Sequence, residues 1–494
     1  MSPSATRLAL WVLAMATLLV SGWLHWRAAY TMPFPWRDEP WYLWTSVELC
    51  HSGHWASPSL RPGPALVLSP LYALLNAALF KVFGVGLGIA RWGSWACLSA
   101  AYLGVLRLFR GRRWQFPAAA VASWFALAPA AIAAGNMVRP EAMLWMLAVW
   151  GYAMLSERRI ALGMILLGLG LNLHSLGWFF YAGGVVLALV RAWEKHCAGE
   201  PWTLSEKIGL GVAAAVLAAC AVSTVSAFDS SVFAAAYAED HSTLLSRLAK
   251  NLRWAWLLAA GALALRSFFT SRKGLGPAAL AGMGMATIVL RNQVWYRLYE
   301  QQAFGLLVVC AMLAVAEMRL WRVEKGRPVL GAALAAGLLL LGCRIGYVQT
   351  PDKYPCKLEW VGGMFIDPVR SDYLPESDVA AVAAEIAKRV AGKPRPVKVL
   401  FLPEADGLYF HDRLPDGVIP YEGVHTDVPG DVGVFHFSRA LGGHRRHRAK
   451  TAMRDFGWNG EEPFYANGDS DLWFFADRTA LPPSGTEDSA PSAP

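Results

Sequence analysis

The stretch GIARWGSWACLSAAYLGVLRLF, residues 88–109, is almost wholly apolar and is followed at once by the basic run RGRRW. A segment of about 20 apolar residues is long enough to cross the hydrocarbon layer of a membrane as a single helix. Similar segments recur along the first 350 residues of this 494-residue chain, which is 55% hydrophobic and 16% charged. This composition excludes secreted and cytosolic soluble proteins and predicts an integral membrane protein.

About eleven transmembrane helices are predicted, and their alternation is tested by the basic loops between them. The loops at 107–114, 156–159, 191–195, 270–274 and 318–327 all fall on one side, as expected of cytoplasmic loops. The N-terminus is then cytoplasmic, and the chain after the last span lies outside. The predicted spans are residues 8–26, 88–109, 116–135, 140–155, 160–174, 175–192, 208–228, 252–270, 275–290, 301–318 and 329–347.

Two apolar segments need separate interpretation. Residues 8–26 lack a clean cleavage site, so we interpret them as a retained first span rather than a signal peptide. Residues 65–83 would reverse the alternation of the basic loops if they crossed the membrane. They are therefore predicted to form an interfacial or re-entrant helix.

The chain divides where its hydrophobicity falls, near residue 350. Residues 1–350 are predicted to form an all-α polytopic membrane domain, with its first outer loop at 27–87. Residues 351–481 are predicted to form a small extracytoplasmic α/β domain, and the Pro- and Ser-rich tail at 482–494 is predicted to be disordered. Within the α/β domain we expect a helix at 378–390 capped by Ser377, and strands at 397–402, 432–437 and 471–477.

The most informative outer segment is FPWRDEPWYLW, residues 34–44, directly after the first span. Asp38 is predicted to cap a helix at the membrane surface, with Pro40 in its first turn. A carboxylate at this place can accept a proton from an acceptor hydroxyl or amine near a lipid phosphate. The alternative is that Asp38 and Glu39 only cap the helix and favour its dipole.

A second outer segment, NMVRPEAMLW at 136–145, places Arg139 and Glu141 at the mouth of a span. An unpaired charge facing lipid would cost a few kcal/mol, so these residues predict a polar cavity. In the alternative interpretation, the long Arg139 side chain extends to the membrane interface.

Candidate phosphate-binding residues lie farther along the chain. Arg291, Tyr296 and Arg297 precede a span on the outer side, and guanidinium groups suit phosphate. Anchoring at the membrane interface is the competing explanation. His174 ends a span at the outer face, where a phosphate contact and a structural role are both open.

Two motifs in order, DEPWY after the first span and SPLYALLNAALFKVFGVGLGIARWGSW at 69–95, resemble the GT-C glycosyltransferases. Protein O-mannosyltransferases and the aminoarabinose transferase of lipid A belong to that superfamily. The resemblance covers roughly the first 320 residues. It departs from the family before the Pro-Leu-Tyr segment, where a basic residue is common and this chain has Ser69; Arg61 or Lys81 could supply the charge instead.

The resemblance implies a membrane hexosyl- or pentosyltransferase of GT-C-like fold, with a polyprenyl-phosphate sugar as donor. Asp38 would act as base, Glu39 and Glu141 would orient the acceptor or a divalent ion, and Arg139 and Arg297 would neutralise the leaving phosphate. A metal requirement stays open, and no other cofactor is expected. The acceptor could be a glycan, a lipid or a protein.

The remaining expectations concern partners, place and alternatives. The net charge of +9 is carried in short loops, so no nucleic-acid partner is expected. The protein is predicted to lie in a bacterial inner membrane, and its oligomeric state is left open. An oligosaccharide ligase or polymerase is one alternative. A non-enzymatic transporter or flippase is another, and it would predict inverted repeats and charges at the bilayer midplane.

Overall fold

A computed structural model of the chain shows a helical body and a small α/β body. Four of the predicted spans, at 252–347, lie outside the described residues. The structure describes residues 3–28, 38–51, 53, 69–108, 110, 115–127, 135, 137–173, 177–226, 359–361, 364–366, 376–402, 407–410, 413–422, 431–438, 453, 462–467 and 471–477.

The described helices of the first body follow the predicted spans closely. Two of them contain segments long and apolar enough to cross a membrane, at Leu8–Trp26 and Leu204–Val222. The predicted span at 160–174 ends earlier, at Leu171, while the span predicted at 175–192 continues to Cys197. The helices are α1 Pro3–Ala28, α2 Asp38–His51, α3 Pro70–Phe83, α4 Leu87–Leu108, α5 Gln115–Leu127, α6 Glu141–Ser156, α7 Ile160–Leu171, α8 Gly177–Cys197 and α9 Leu204–Ser226.

Ion pairs join several helix ends at one end of the helical body, which we call the basic end. Arg107 near the end of α4 donates to both carboxylate oxygens of Glu157, which follows α6, at 2.7 and 2.8 Å. Lys195 near the end of α8 lies 2.6 Å from Glu206 at the start of α9. Arg158 also lies 3.2 Å from Glu200, which follows α8. These contacts place Arg107, Arg158 and Lys195, one from each of three predicted cytoplasmic loops, at one end of the body.

The opposite end, which we call the site end, contains the start of α6 and the residues that follow α7. It also holds α3, because the hydroxyl of Ser69 donates to the carbonyl oxygen of Leu173. The other end of α3, at Phe83, is only a few residues before the start of α4, and α4 ends at the basic end. Helix α3 therefore begins and ends on one side, and its 14 residues do not cross the body.

Close helix packing is made possible by glycine. A methyl group at Gly163 on α7 would lie 2.8 Å from the carbonyl oxygen of Gly151 on α6, closer than real contacts allow. Small residues let helix backbones approach in this way in membrane proteins. By contrast, the outer faces of α1 and α9 expose large apolar side chains, among them Trp11, Leu19 and Ile208. Such faces are suited to lipid rather than water.

The α/β body contains the mixed sheet whose main strands the sequence predicts. Strands β3 Val397–Leu402, β5 Val432–Ser438 and β7 Asp471–Asp477 match the predicted ranges, apart from one added residue in β5. Its strand order is β4-β3-β5-β7-β6, in which β3 is parallel to β4 and β5 and the other pairs are antiparallel. The remaining strands are β4 Val418–Glu422 and β6 Tyr465–Asn467, with a separate antiparallel pair of β1 Glu359–Val361 and β2 Met364–Ile366.

Two helices complete this body, α10 Glu376–Val390 and the short α11 Gly407–Phe410. Buried Val382 and Ile386 of α10 pack with Val399 and Trp473 of the sheet. The cap predicted at Ser377 is wrong, because the helix begins one residue earlier and includes Ser377. The spacing of apolar residues correctly predicts that a helix is present, but it does not locate the first residue of that helix.

Candidate functional site

Helix α2 begins at the acidic pair. Asp38 is its first residue, and Pro40 lies in its first turn, where a proline ring costs the helix nothing. Asp38 is thus helical rather than a cap that precedes the helix. The side chains of Asp38 and Glu39 lie outside the described part of the chain, so their proposed roles stay predictions. What the structure defines is the helix that carries them, which packs against α3.

Arg139 and Glu141 form a buried ion pair at the start of α6. Arg139 Nε donates to Glu141 Oε2, and Nη2 donates to Oε1, both at 3.3 Å. The two residues are only 5% and 2% exposed. Because its side chain is buried against a carboxylate, Arg139 does not extend to the protein surface. Glu141 also stands in the first turn of its helix, where the helix dipole favours a negative charge.

The ion pair is connected to α2 by an aromatic ring. The guanidinium carbon of Arg139 lies 5.5 Å from the ring centre of Tyr42, a distance at which a cation is attracted to an aromatic face. Tyr42 follows Asp38 by four residues, about one helical turn, so the two positions lie on the same side of α2. The helix that begins with the acidic pair and the helix that begins with Glu141 therefore meet at this contact.

Ser69, where the resemblance would lead one to expect a basic residue, has a structural role at the start of α3. Its backbone is left-handed, with φ 66° and ψ 58°, and its buried hydroxyl ties the start of α3 to the end of α7. About two turns later, Asn76 donates to the carbonyl oxygen of Tyr72 at 3.0 Å. Tyr72 Oη in turn lies 2.9 Å from Ser94 Oγ on α4. Ser69 thus begins a polar chain of contacts inside the site end.

The other candidate charges near this motif differ in burial. Lys81 lies in the last turn of α3 and is exposed, while Arg61 is outside the described residues. Arg91, which the sequence analysis did not select, is fully buried on α4 and has interaction partners in the protein. Its sequence signal was a single arginine within the apolar stretch GIARW. A buried arginine requires compensating partners, so Arg91 belongs with the buried polar residues of the site end.

Several predicted residues are not placed. His174, Arg291, Tyr296 and Arg297 lie outside the described residues, and their phosphate-binding roles stay predictions. Among the residues with described side chains, a set that omits the carboxylates of Asp38 and Glu39, no three His, Cys, Asp or Glu groups could hold a metal ion. A requirement for a divalent ion therefore stays open, as it does from the sequence.

The comparisons with known proteins give a structural neighbour. No family model matches the chain, and no curated protein matches it. Among solved structures, the chain is similar to the crystal structure of ArnT from Cupriavidus metallidurans bound to undecaprenyl phosphate. The two chains share 15% sequence identity with a TM-score of 0.47, over 97% of this chain and 99% of that chain.

Proposed function

We propose that this protein is an integral membrane glycosyltransferase that moves a sugar from a polyprenyl-phosphate donor to an acceptor outside the cytoplasm. The observation that carries this proposal is the contact of Tyr42 with Arg139. It brings together two outer segments, separated by about a hundred residues of sequence, that each carry carboxylates. A transferase needs such convergence, because donor and acceptor must meet in one site.

The proposed reaction is a single displacement at the anomeric carbon. The acceptor oxygen or nitrogen forms a bond to that carbon, while the bond from the carbon to the phosphate oxygen breaks. The acceptor proton passes to the Asp38 carboxylate, and the lipid phosphate leaves with the electron pair. The configuration at the anomeric carbon is inverted.

The buried pair has a different task from Asp38 in this proposal. Because Glu141 is held by Arg139, and Arg139 lies against Tyr42, the pair fixes the start of α2 beside the start of α6. Glu39 orients the acceptor or a divalent ion together with Glu141. Charge on the leaving phosphate is met by Arg297 and Arg291, with Tyr296 and His174 as further contacts.

The helical body also supports a location in the membrane. The exposed apolar faces of α1 and α9 are covered by lipid, and the basic end lies at the cytoplasmic surface, as the positive-inside rule expects. The site end then faces the outer leaflet, where a lipid-linked donor can enter from the side.

The test is replacement of Asp38 by Asn, which keeps size and removes the base. Purified protein in liposomes is given a panel of polyprenyl-phosphate sugars together with candidate glycan, lipid and protein acceptors, and release of polyprenyl phosphate is measured. We expect the rate to fall by roughly two to four orders of magnitude, with Glu39→Gln milder.

Glu48→Gln is the matched control for this experiment. Glu48 lies on α2 as well, ten residues from Asp38, or about 15 Å along the helix, so its replacement should leave transfer within about a factor of two. Full activity in the Asp38→Asn protein, at equal amounts of folded protein, would leave the acidic pair with only a structural role at the start of α2. Absence of transfer from every donor by the unmodified protein would reject the glycosyltransferase proposal.

A further inference from the structure

The α/β body contacts the helix that carries the acidic pair. Gly407, the first residue of α11, lies beside Trp44 of α2. A methyl group at Gly407 would be 3.7 Å from Trp44 Cζ2 and 3.4 Å from Phe401 Cδ2. Trp44 is itself buried. The contact therefore joins the two bodies six residues after Asp38.

Behind Gly407 lies a buried row of aromatic rings within the α/β body. Phe401 stacks on Phe410 with ring centres 4.9 Å apart, and Phe410 meets Trp473 edge to face at 5.7 Å. Trp473 stacks on His436 at 4.1 Å with the rings almost parallel. Close-packed rings of this kind cannot easily move to make room for an added side chain. The surface of the α/β body at Gly407, which faces Trp44, is therefore rigid.

Helix geometry makes the two contacts of α2 complementary. Successive residues of an α-helix are about 100° apart, so Tyr42 and Trp44 point about 200° apart around the axis. Tyr42 meets Arg139 in the helical body, and Trp44 meets Gly407 in the α/β body. Helix α2 is thus held between the two bodies, with one contact on either side of it.

We propose that Trp44 is a positioning residue for the transfer reaction and that Gly407 sets its place. This inference rests on the proposed function. Packing of Trp44 against the α/β body fixes the position of α2, and the position of α2 determines where Asp38 lies relative to the bound acceptor. Misplacement of a catalytic group by about 1 Å can lower a rate on the order of 10²-fold. A change at the contact should consequently lower kcat more than it raises KM for the donor.

Gly407 offers a graded series of variants. Gly407→Ala should be harmless, because its methyl group would sit at ordinary contact distances. Gly407→Trp cannot be accommodated without displacement of Trp44. We expect Gly407→Trp to lower kcat about 10²-fold while the donor KM changes little, and Gly407→Ala to leave both within about a factor of two. Trp44→Phe makes the side chain on the other side of the contact smaller and should also lower kcat. A larger side chain at position 407, as in the double variant Trp44→Phe with Gly407→Leu, should restore part of that loss.

Hydrogen exchange of the full chain in detergent gives a readout that does not depend on activity. In Gly407→Trp, exchange should become faster in a peptide that covers α2, while α6 and the sheet keep the exchange of the unmodified protein. Unchanged kcat with unchanged exchange in α2 would overturn the inference. Faster exchange throughout both bodies would also overturn it, because the contact would then serve general folding. If the unmodified protein transfers no sugar, the proposed function fails, while the exchange data still decide whether Gly407 holds α2.

Discussion

Loss of one partner of the Arg139–Glu141 pair is expected to destabilise the fold more than loss of both. Both side chains are buried, so removal of either takes the nearby opposite charge away from a buried group, and breaking a buried pair in this way typically costs about 3–5 kcal/mol. The two contacts of 3.3 Å are longer than the 2.7–2.9 Å usual for strong charge-assisted bonds. We therefore expect about 3 kcal/mol for Glu141→Gln.

Arg139→Met should cost more than Glu141→Gln. It removes the guanidinium group that the Glu141 carboxylate contacts and also removes the contact with the Tyr42 ring, which adds about 1 kcal/mol. The double variant removes both charges and should cost roughly 1–2 kcal/mol in all. The coupling free energy between the two sites would then be about 5 kcal/mol.

The measurement is a double-mutant cycle on unfolding free energies, from denaturant titration of the purified protein in detergent micelles. Additive costs in the cycle would refute the reasoning, since they would show that the two charges do not compensate each other. The same proteins provide a functional control. The double variant should fold but transfer sugar poorly, because the contact of Tyr42 with Arg139, which links the start of α2 to the start of α6, is then lost.

Three further predictions concern other parts of the chain. The hydrogen bond from Arg107 holds the pKa of Glu157 below its ordinary value of 4.5. The two side chains are 30% and 32% exposed, so this ion pair contributes at most about 1 kcal/mol to stability. That contribution is present above the ordinary pKa and is lost as the pH falls through the lowered pKa. Glu157→Gln should flatten this part of the acid-unfolding curve, and an unchanged curve would contradict the prediction. Gly163→Ala should lower the free energy of unfolding by about 1–3 kcal/mol, because its methyl group would lie 2.8 Å from a backbone carbonyl oxygen. Gly211→Ala should leave stability unchanged, because its methyl group would have no atom within 4 Å. Equal thermal stability of the two variants would contradict the packing argument. Cysteine at Val82, which is 72% exposed at the end of α3, should react with an impermeant thiol reagent from the outer side in a cysteine-free background, and reaction only from the cytoplasm would mean that α3 crosses the membrane.

Sequence reasoning succeeds here where the relevant physics is local. The length of an apolar segment and the charge of the next loop are properties of adjacent residues, so the loops at 107–114 and 156–159 could be assigned to one side before Arg107 was seen to contact Glu157. The strands at 397–402 and 471–477 were likewise marked by β-branched and aromatic residues between turn-forming ones. The predicted cap at Ser377 failed because helix ends depend on one residue's backbone angles rather than on a periodic pattern.

The contacts that build the site are set by packing between distant segments. For Arg139 the sequence favours a polar cavity and leaves the membrane interface as the alternative, because its neighbours in sequence do not show that Tyr42 lies beside it. Arg91 was passed over as part of an apolar stretch, although a charge inside such a stretch is itself a signal of buried polar partners. The meeting of Trp44 and Gly407 joins positions more than 360 residues apart, and no local pattern marks it.

The position of Asp38 depends on these distant contacts more than on its motif. A helix of 14 residues, the length of α2, is of marginal stability alone in water, and most helical stability in proteins comes from packing. Helix α2 gains that stability from α3, from Arg139 through Tyr42, and from the α/β body through Trp44. A carboxylate at the first residue of such a helix moves whenever any of the three supports moves. In the proposed reaction the acidic motif supplies the base, and the supports of α2 determine where that base stands.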